Sequence, residues 1–133
     1  MTAPDLTASQ EDYLEAIYHV VQENRVARSR DLVRRLGVNS SSVTQALHGL
    51  SERGMIHHEP YGAVTLTPDG ERVALDVIRR HEALRTFFVD ILGVDPEPAE
   101  EAACRMEHAM PREIVDRLLA YIAAAGLRPD AGA

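Results

Sequence analysis

Cys104, Glu107 and His108 stand at i, i+3 and i+4 in the run Cys104-Arg105-Met106-Glu107-His108. On one helix those offsets share a face, so a thiolate, a carboxylate and an imidazole point at one spot. The set mixes soft and hard donors, which suits a first-row transition ion better than calcium or magnesium. Asp12 and Glu15, at i, i+3 near the N-terminus, offer two more oxygens, and His81 in mid-chain offers another nitrogen. With several carboxylates and a single cysteine, this is unlike a structural zinc site. Each part also has a plainer reading: solvated acids at a helix start, a surface or packing histidine, a half-buried thiol beside ordinary polar groups. If the three places converge, one divalent cation ties the beginning, middle and end of the chain together.

A second group of residues suits phosphate and base edges. Between Asn24 and Met55 the cations Arg25, Arg28, Arg30, Arg34, Arg35 and Arg53 meet only Asp31 and Glu52. The net charge of -7 by itself argues against nucleic acid, but the acid is concentrated elsewhere, in the N-terminal helix and between Asp95 and Glu107. Every cation is arginine, whose forked donors match phosphate oxygens. Asn39, Ser40, Ser41, Ser42, Thr44 and Gln45 supply short hydroxyls and amides. These suit base edges at the leading end of a helix, and equally they are good capping residues.

The elements that must position these groups are mostly helices. Tyr13, Leu14, Ile17, Tyr18 and Val21 predict a first helix from a Thr7 or Ser9 cap to about Glu23. A Ser29 cap predicts a short helix over Arg30 to Leu36, stopped by Gly37. Asn39 then caps a helix from Ser40 to about Arg53 with Val43, Leu47 and Leu50 inward, which completes a helix-turn-helix. Met55 to Pro60 and Ala63 to Thr67, about a turn at Tyr61-Gly62, predict a hairpin wing. Neighbours on a strand face opposite ways, which speaks against His57 and His58 as a ligand pair. Thr67-Pro68-Asp69-Gly70-Glu71 predicts the start of one long helix to about Leu92, with His81 midway. Its apolar stripe is wider than one lobe needs and offers a face to a partner subunit. A helix over Glu97 to Met110 carries the Cys-x-x-Glu-His cluster. A last one, from Arg112 to about Ala125, has Ile114, Val115, Leu118, Leu119 and Ile122 as its inward face. Residues up to Leu6 and the tail to Ala133 read as loose ends.

At 133 residues and 45% hydrophobic, the chain fits one compact unit or two small lobes. No run approaches the roughly 18 apolar residues of a membrane span, and no basic-then-apolar leader precedes the first helix, so a cytoplasmic protein is expected. The one cysteine, Cys104, cannot form an internal disulfide, and a reducing compartment suits it.

The chain resembles the diphtheria toxin repressor family of metal-dependent transcription regulators. The resemblance is carried by Glu11-Asp12-Tyr13-Leu14-Glu15-Ala16-Ile17-Tyr18, Ser41-Ser42-Val43-Thr44-Gln45, Leu66-Thr67-Pro68-Asp69-Gly70, Arg80-His81-Glu82 and Ala103-Cys104-Arg105-Met106-Glu107-His108. It implies a mainly α fold: an N-terminal winged helix-turn-helix with a small β-hairpin wing over residues 1–70, then a helical metal-binding and dimerisation domain over 71–133. It further implies a homodimer on a palindromic operator, with metal ligands at the positions matching Asp12, Glu15, His81, Cys104, Glu107 and His108. In length the chain is similar to the shorter manganese regulators, which lack a third, SH3-like domain. Asp12 and Glu15 look like the manganese branch and Cys104 like the iron branch; Mn(II) is favoured slightly over Fe(II), with Zn(II), Co(II) and Cd(II) expected to substitute in vitro. Arg85 stands where the family often has an acidic side chain of an ancillary site, which Glu100 would have to help replace. Ser40 and Ser41 stand where many members have a proline, and Gly62 where a basic wing residue is common.

The reading is therefore a repressor whose ion acts as a clamp between the first helix and the dimer lobe, with no membrane, enzymatic activity or small-molecule substrate. One rival is a winged-helix regulator answering to an organic ligand or to oxidation of Cys104. Another, a metal hydrolase using Glu107 as base, lacks an oxyanion device in the sequence.

Overall fold

The structure is a computed structural model that describes residues 6–59 and 62–126. The expected loose ends before Leu6 and after Gly126, and the Pro60-Tyr61 part of the hairpin turn, lie outside the described residues. Two compact units divide between Leu75 and Asp76. No helix among the described residues is long and apolar enough to cross a membrane.

The first unit opens with α1, Ala8–Asn24. Thr7 starts it by a reciprocal cap: its Oγ1 accepts from Gln10 N–H at 3.1 Å, and Gln10 Oε1 accepts from Thr7 N–H at 3.0 Å. Tyr13, Leu14, Ala16, Ile17 and Val20 are buried at helical spacing. α2 is Ser29–Leu36. Ser29 is its first helical residue rather than its cap, because the Asp31 carboxylate reaches back to accept the Arg28 N–H at 2.9 Å. Gly37 ends it at φ +67°, where a left-handed residue is needed.

α3, Ser40–Glu52, begins at Asn39, whose Oδ1 accepts from Ser42 N–H at 2.8 Å. Val43, Leu47 and Leu50 point inward, as their spacing requires. β1, Ile56–His58, pairs antiparallel with β2, Val64–Leu66, in a register that sets Ile56 opposite Leu66. A bridge that no periodicity announced joins them: Ala27 and Val64 exchange both backbone hydrogen bonds at 2.8 Å. It ties the α1–α2 connection to the wing. His57 and His58 are both exposed.

The hairpin leads into α4, Pro68–Thr86, through Thr67, whose Oγ1 donates to Gly54 O at 2.7 Å and accepts from Gly70 N–H at 3.1 Å. A Cβ on Gly70 would lie 1.9 Å from the Met55 carbonyl oxygen, so this approach admits only glycine. Leu14, Ile17, Leu32, Val43, Leu47, Leu50 and Val64, all essentially inaccessible, form the centre of this unit's core.

The second unit begins within α4. The expected uninterrupted helix to Leu92 is corrected: α4 stops at Thr86 and a π-helical turn, Phe87–Ile91, follows. Its wider loop is closed by Leu92 N–H on Phe87 O at 3.0 Å, and Gly93 at φ +70° ends it. α5 is Pro96–Met106, with proline at its first turn where no N–H is missed. The expected continuation to Met110 is likewise corrected, because Glu107–Ala109 is a 3-10 turn. Met110 precedes Pro111 and is extended, at ψ 122°, as the proline ring demands.

α6 is Arg112–Ala124. Of its five predicted inward residues only Val115 and Ile122 are buried; Leu118 and Leu119 are half-buried and Ile114 is exposed. The stripe is wider than one copy of this unit covers. α6 is fixed to α4 by Arg79–Asp116 at 2.6 Å and to the π turn by Phe87–Tyr121, whose rings lie 6.4 Å apart.

Candidate metal centre and nucleic-acid interface

In the second unit, α4 presents His81 and α5 presents Glu100 and Cys104, while Glu107 and His108 come from the 3-10 turn. Sequence spacing had put Cys104, Glu107 and His108 on one α-helical face; the tightened turn changes that offset, and the convergence comes instead from His81 of α4, which meets Glu100, Cys104 and Glu107. His81 is the hub. Its Nδ1 lies 2.9 Å from Glu107 Oε2 and its Nε2 lies 2.7 Å from Glu100 Oε1. Cys104 Sγ is 3.8 Å from the same Nδ1. Donor atoms of His81, Glu100 and Cys104 all fall within 4.8 Å of one another.

The electrostatics describe a site charged for a cation. The hydrogen bond to Glu107 raises the His81 pKa to about 9, helped by the charges of Glu107 and Glu100 and opposed by burial. A proton thus joins two carboxylates in the metal-free protein. Glu107 is fully buried, and its Oε1 has no hydrogen-bond partner among the described residues, with His108 Nε2 at 3.5 Å. Leaving a buried carboxylate oxygen unsatisfied costs on the order of 1–3 kcal/mol. A divalent ion would satisfy that oxygen and displace the His81 proton, so the residues fit a transition ion held by nitrogen, oxygen and sulfur.

Arg80, in the Arg80-His81-Glu82 motif, has a role that residue type alone does not reveal. It is 7% exposed and donates from Nη1 to the Glu107 backbone oxygen at 2.8 Å, with Asp76 Oδ2 at 3.3 Å from its Nε. A nearly buried guanidinium therefore pins the turn that carries Glu107 and His108. No spacing rule could have found a side-chain bond to a backbone carbonyl 27 residues away. Glu100 entered only as a substitute for an ancillary ligand; it is in fact the second partner of His81.

In the first unit, Asp12 and Glu15 lie half-buried on α1, beside its apolar stripe, and Glu15 Oε2 is 3.9 Å from His19 Nε2. Arg28 precedes α2 and is half-buried, while Arg30, Arg34 and Arg35 on α2 are exposed. Arg35 pairs loosely with Glu23 at 3.7 Å. Asn39, Ser40, Ser41, Thr44 and Gln45 are exposed on the leading turns of α3, with Ser42 half-buried. Part of that polarity is internal: Ser41 Oγ donates to Asn39 Oδ1 at 2.8 Å, and Thr44 Oγ1 to Ser40 O at 3.0 Å. The rest of the face is free of the core.

A winged helix-turn-helix joined to a unit bearing a transition-metal donor set defines a class, the metal-responsive DNA-binding regulator. Comparison with known proteins agrees over nearly the whole chain. Residues 5–64 match the model of the iron dependent repressor N-terminal DNA binding domain, and 67–131 that of the iron dependent repressor metal binding and dimerisation domain. An HTH-type transcriptional regulator of Methanocaldococcus jannaschii is 36% identical over 118 residues, 88% of this chain and 94% of that protein. Transcriptional regulator MntR of Salmonella typhimurium is 38% identical over 111 residues, 84% of this chain and 70% of that protein. A solved manganese-dependent transcriptional repressor in complex with manganese superposes with a TM-score of 0.76 at 34% identity, over 86% of this chain and 52% of that one. The chain thus spans about half the length of that solved repressor.

The chain belongs to the iron-dependent repressor family, that of the diphtheria toxin repressor and MntR. Its members are transcriptional regulators and not enzymes, which removes the hydrolase reading.

Proposed function

We propose that this protein is a metal-responsive transcriptional repressor of metal-ion homeostasis, with Mn(II) preferred to Fe(II) as corepressor. The observation that carries this reading is the donor set around His81, in which a buried Glu107 oxygen has no hydrogen-bond partner among the described residues, in the same chain as an exposed polar and arginine-rich helix-turn-helix. The ligands are Asp12, Glu15, His81, Cys104, Glu107 and His108. Three carboxylates and two imidazoles against one thiolate favour the harder ion, and Cys104 leaves room for Fe(II). When bound, the ion supplies positive charge that offsets the carboxylates; the protein's own groups do the rest. Arg80 holds the Glu107 turn, and Asp12 and Glu15 engage from the reading head, so occupancy biases how the DNA-binding units are presented.

On DNA, Arg28, Arg30, Arg34 and Arg35 bond phosphates, while Asn39, Ser40, Ser41, Ser42, Thr44 and Gln45 address the major groove. Exposed Ile114, Tyr121 and Leu92 supply apolar area for a second copy, and a two-fold dimer reads a palindromic operator with half-sites about 34 Å apart. A coupling of about 1 to 3 kcal/mol changes operator affinity roughly 5- to 150-fold. The test is operator binding by metal-free protein under anaerobic, reducing conditions with Mn(II), Fe(II) or Zn(II) added. Tightening within that range is expected. A dimer that bound equally with chelator and with every ion would refute the reading.

A further inference from the structure

The Glu100 carboxylate is held at both oxygens. Oε1 lies 2.7 Å from His81 Nε2, and Oε2 lies 3.2 Å from Arg85 Nε. Arg85 is one turn after His81 on α4, and its side chain is 19% exposed where that of Glu100 is 50% exposed. A guanidinium thus lies against the carboxylate that, with His81 and Cys104, could otherwise take a cation of its own. Unlike the imidazolium of His81, it cannot surrender its charge to make way for a metal. We propose that Arg85 is the built-in counter-cation of Glu100, withholding that carboxylate from metal and so setting how many ions this unit holds. The inference rests on the metal-centre reading above.

The charge balance among the groups of this unit supports it. With one divalent ion bound, that ion and Arg85 together balance the carboxylates of Glu100 and Glu107 and a Cys104 thiolate. A second divalent ion at Glu100 would set its charge beside the Arg85 guanidinium in a partly buried place, and that like-charge repulsion is costly. An acid at position 85 would reverse the balance and add an oxygen donor beside Glu100 and His81, the hard-ligand surroundings Mn(II) takes.

The experiment counts ions in the full chain: metal-free protein is titrated anaerobically with Mn(II), and bound metal per protomer is read by calorimetry and elemental analysis. Arg85→Glu is expected to bind an additional equivalent, and Arg85→Glu/Glu100→Gln to lose that gain. Arg85→Lys and Glu100→Gln each keep the wild-type count. An Arg85→Glu protein that binds no more than wild type overturns the proposal. So does a Glu100→Gln protein that loses an equivalent, since Glu100 would then already be a ligand; this variant decides the matter even if Arg85→Glu fails to fold. Wild-type protein binding no Mn(II) at all would instead remove the metal-centre reading.

Discussion

The two units are held together by different physics. In the first, large aliphatic side chains from α1, α2, α3 and the hairpin close over one another, and Leu14, Ile17, Leu32, Val43 and Leu50 are fully inaccessible. In the second, Val77, Val115 and Ile122 are buried as well, but other fully buried positions are small, Ala83, Ala99 and Ala103, and the charged Arg80 and Glu107 are buried with them. The reading head is thus shaped by apolar burial, which is indifferent to pH and ions, whereas the donor unit is shaped by charges that a proton or a metal can rearrange. A sensor needs that asymmetry: one part preformed, the other responsive.

The contrast can be broken from either side. The largest effect is expected in the apolar unit. Leu47→Ala empties a site that is 1% exposed and should lower stability by about 2–5 kcal/mol, equally at neutral and alkaline pH, as read by urea denaturation. A strong pH dependence of that loss would erase the distinction. In the polar unit, Glu107→Gln keeps the shape but removes the charge, and should weaken Mn(II) binding by at least 10- to 100-fold in a calorimetric titration. Unchanged affinity would remove Glu107 from the ligand set.

Arg80 donates to the backbone carbonyl of Glu107 and so holds the turn that presents a proposed ligand. Arg80→Ala should weaken Mn(II) about 10-fold in protein that remains folded, with partial recovery in Arg80→Lys. A variant that melts earlier yet binds Mn(II) normally would make Arg80 structural alone. The smallest effect is the pH response of the metal-free protein. Because the folded His81 value, about 9, lies above its ordinary 6.5, the imidazolium–carboxylate bonds stabilise fully below pH 6.5 and are lost as pH rises through about 9. Melting temperature should fall across that window without metal, and the fall should be abolished in His81→Gln.

Much of this was legible from residue patterns. The apolar spacing in α1 and α3, the Asn39 cap and the glycine stops at Gly37 and Gly93 fixed element positions, because they are local effects of side chain on backbone. The Ala27–Val64 bridge, the π turn at Phe87–Ile91 and the 3-10 turn at Glu107–Ala109 were not legible. A single bridge has no period, and the two tightened or widened turns depend on packing and on Pro111 rather than on helix propensity. Within the donor unit, residue types named His81, Cys104, Glu107 and His108. They could not show that Glu100 closes on His81, that Arg85 closes on Glu100, or that Arg80 supports the turn from beneath, since those are contacts between helices far apart in the chain. The overestimated inward face of α6 has the same origin: amphipathic spacing marks a face as apolar without saying whether this copy or another covers it.

The claim that a shared ion links donor unit to reading head is tested most directly through its reciprocal. Mn(II) affinity is measured for the free protein and for the same protein saturated with operator DNA. Linkage requires the operator to tighten Mn(II) by the factor by which Mn(II) tightens the operator, roughly 5- to 150-fold. Identical Mn(II) affinities in the two states would contradict the account, however tightly each ligand bound alone.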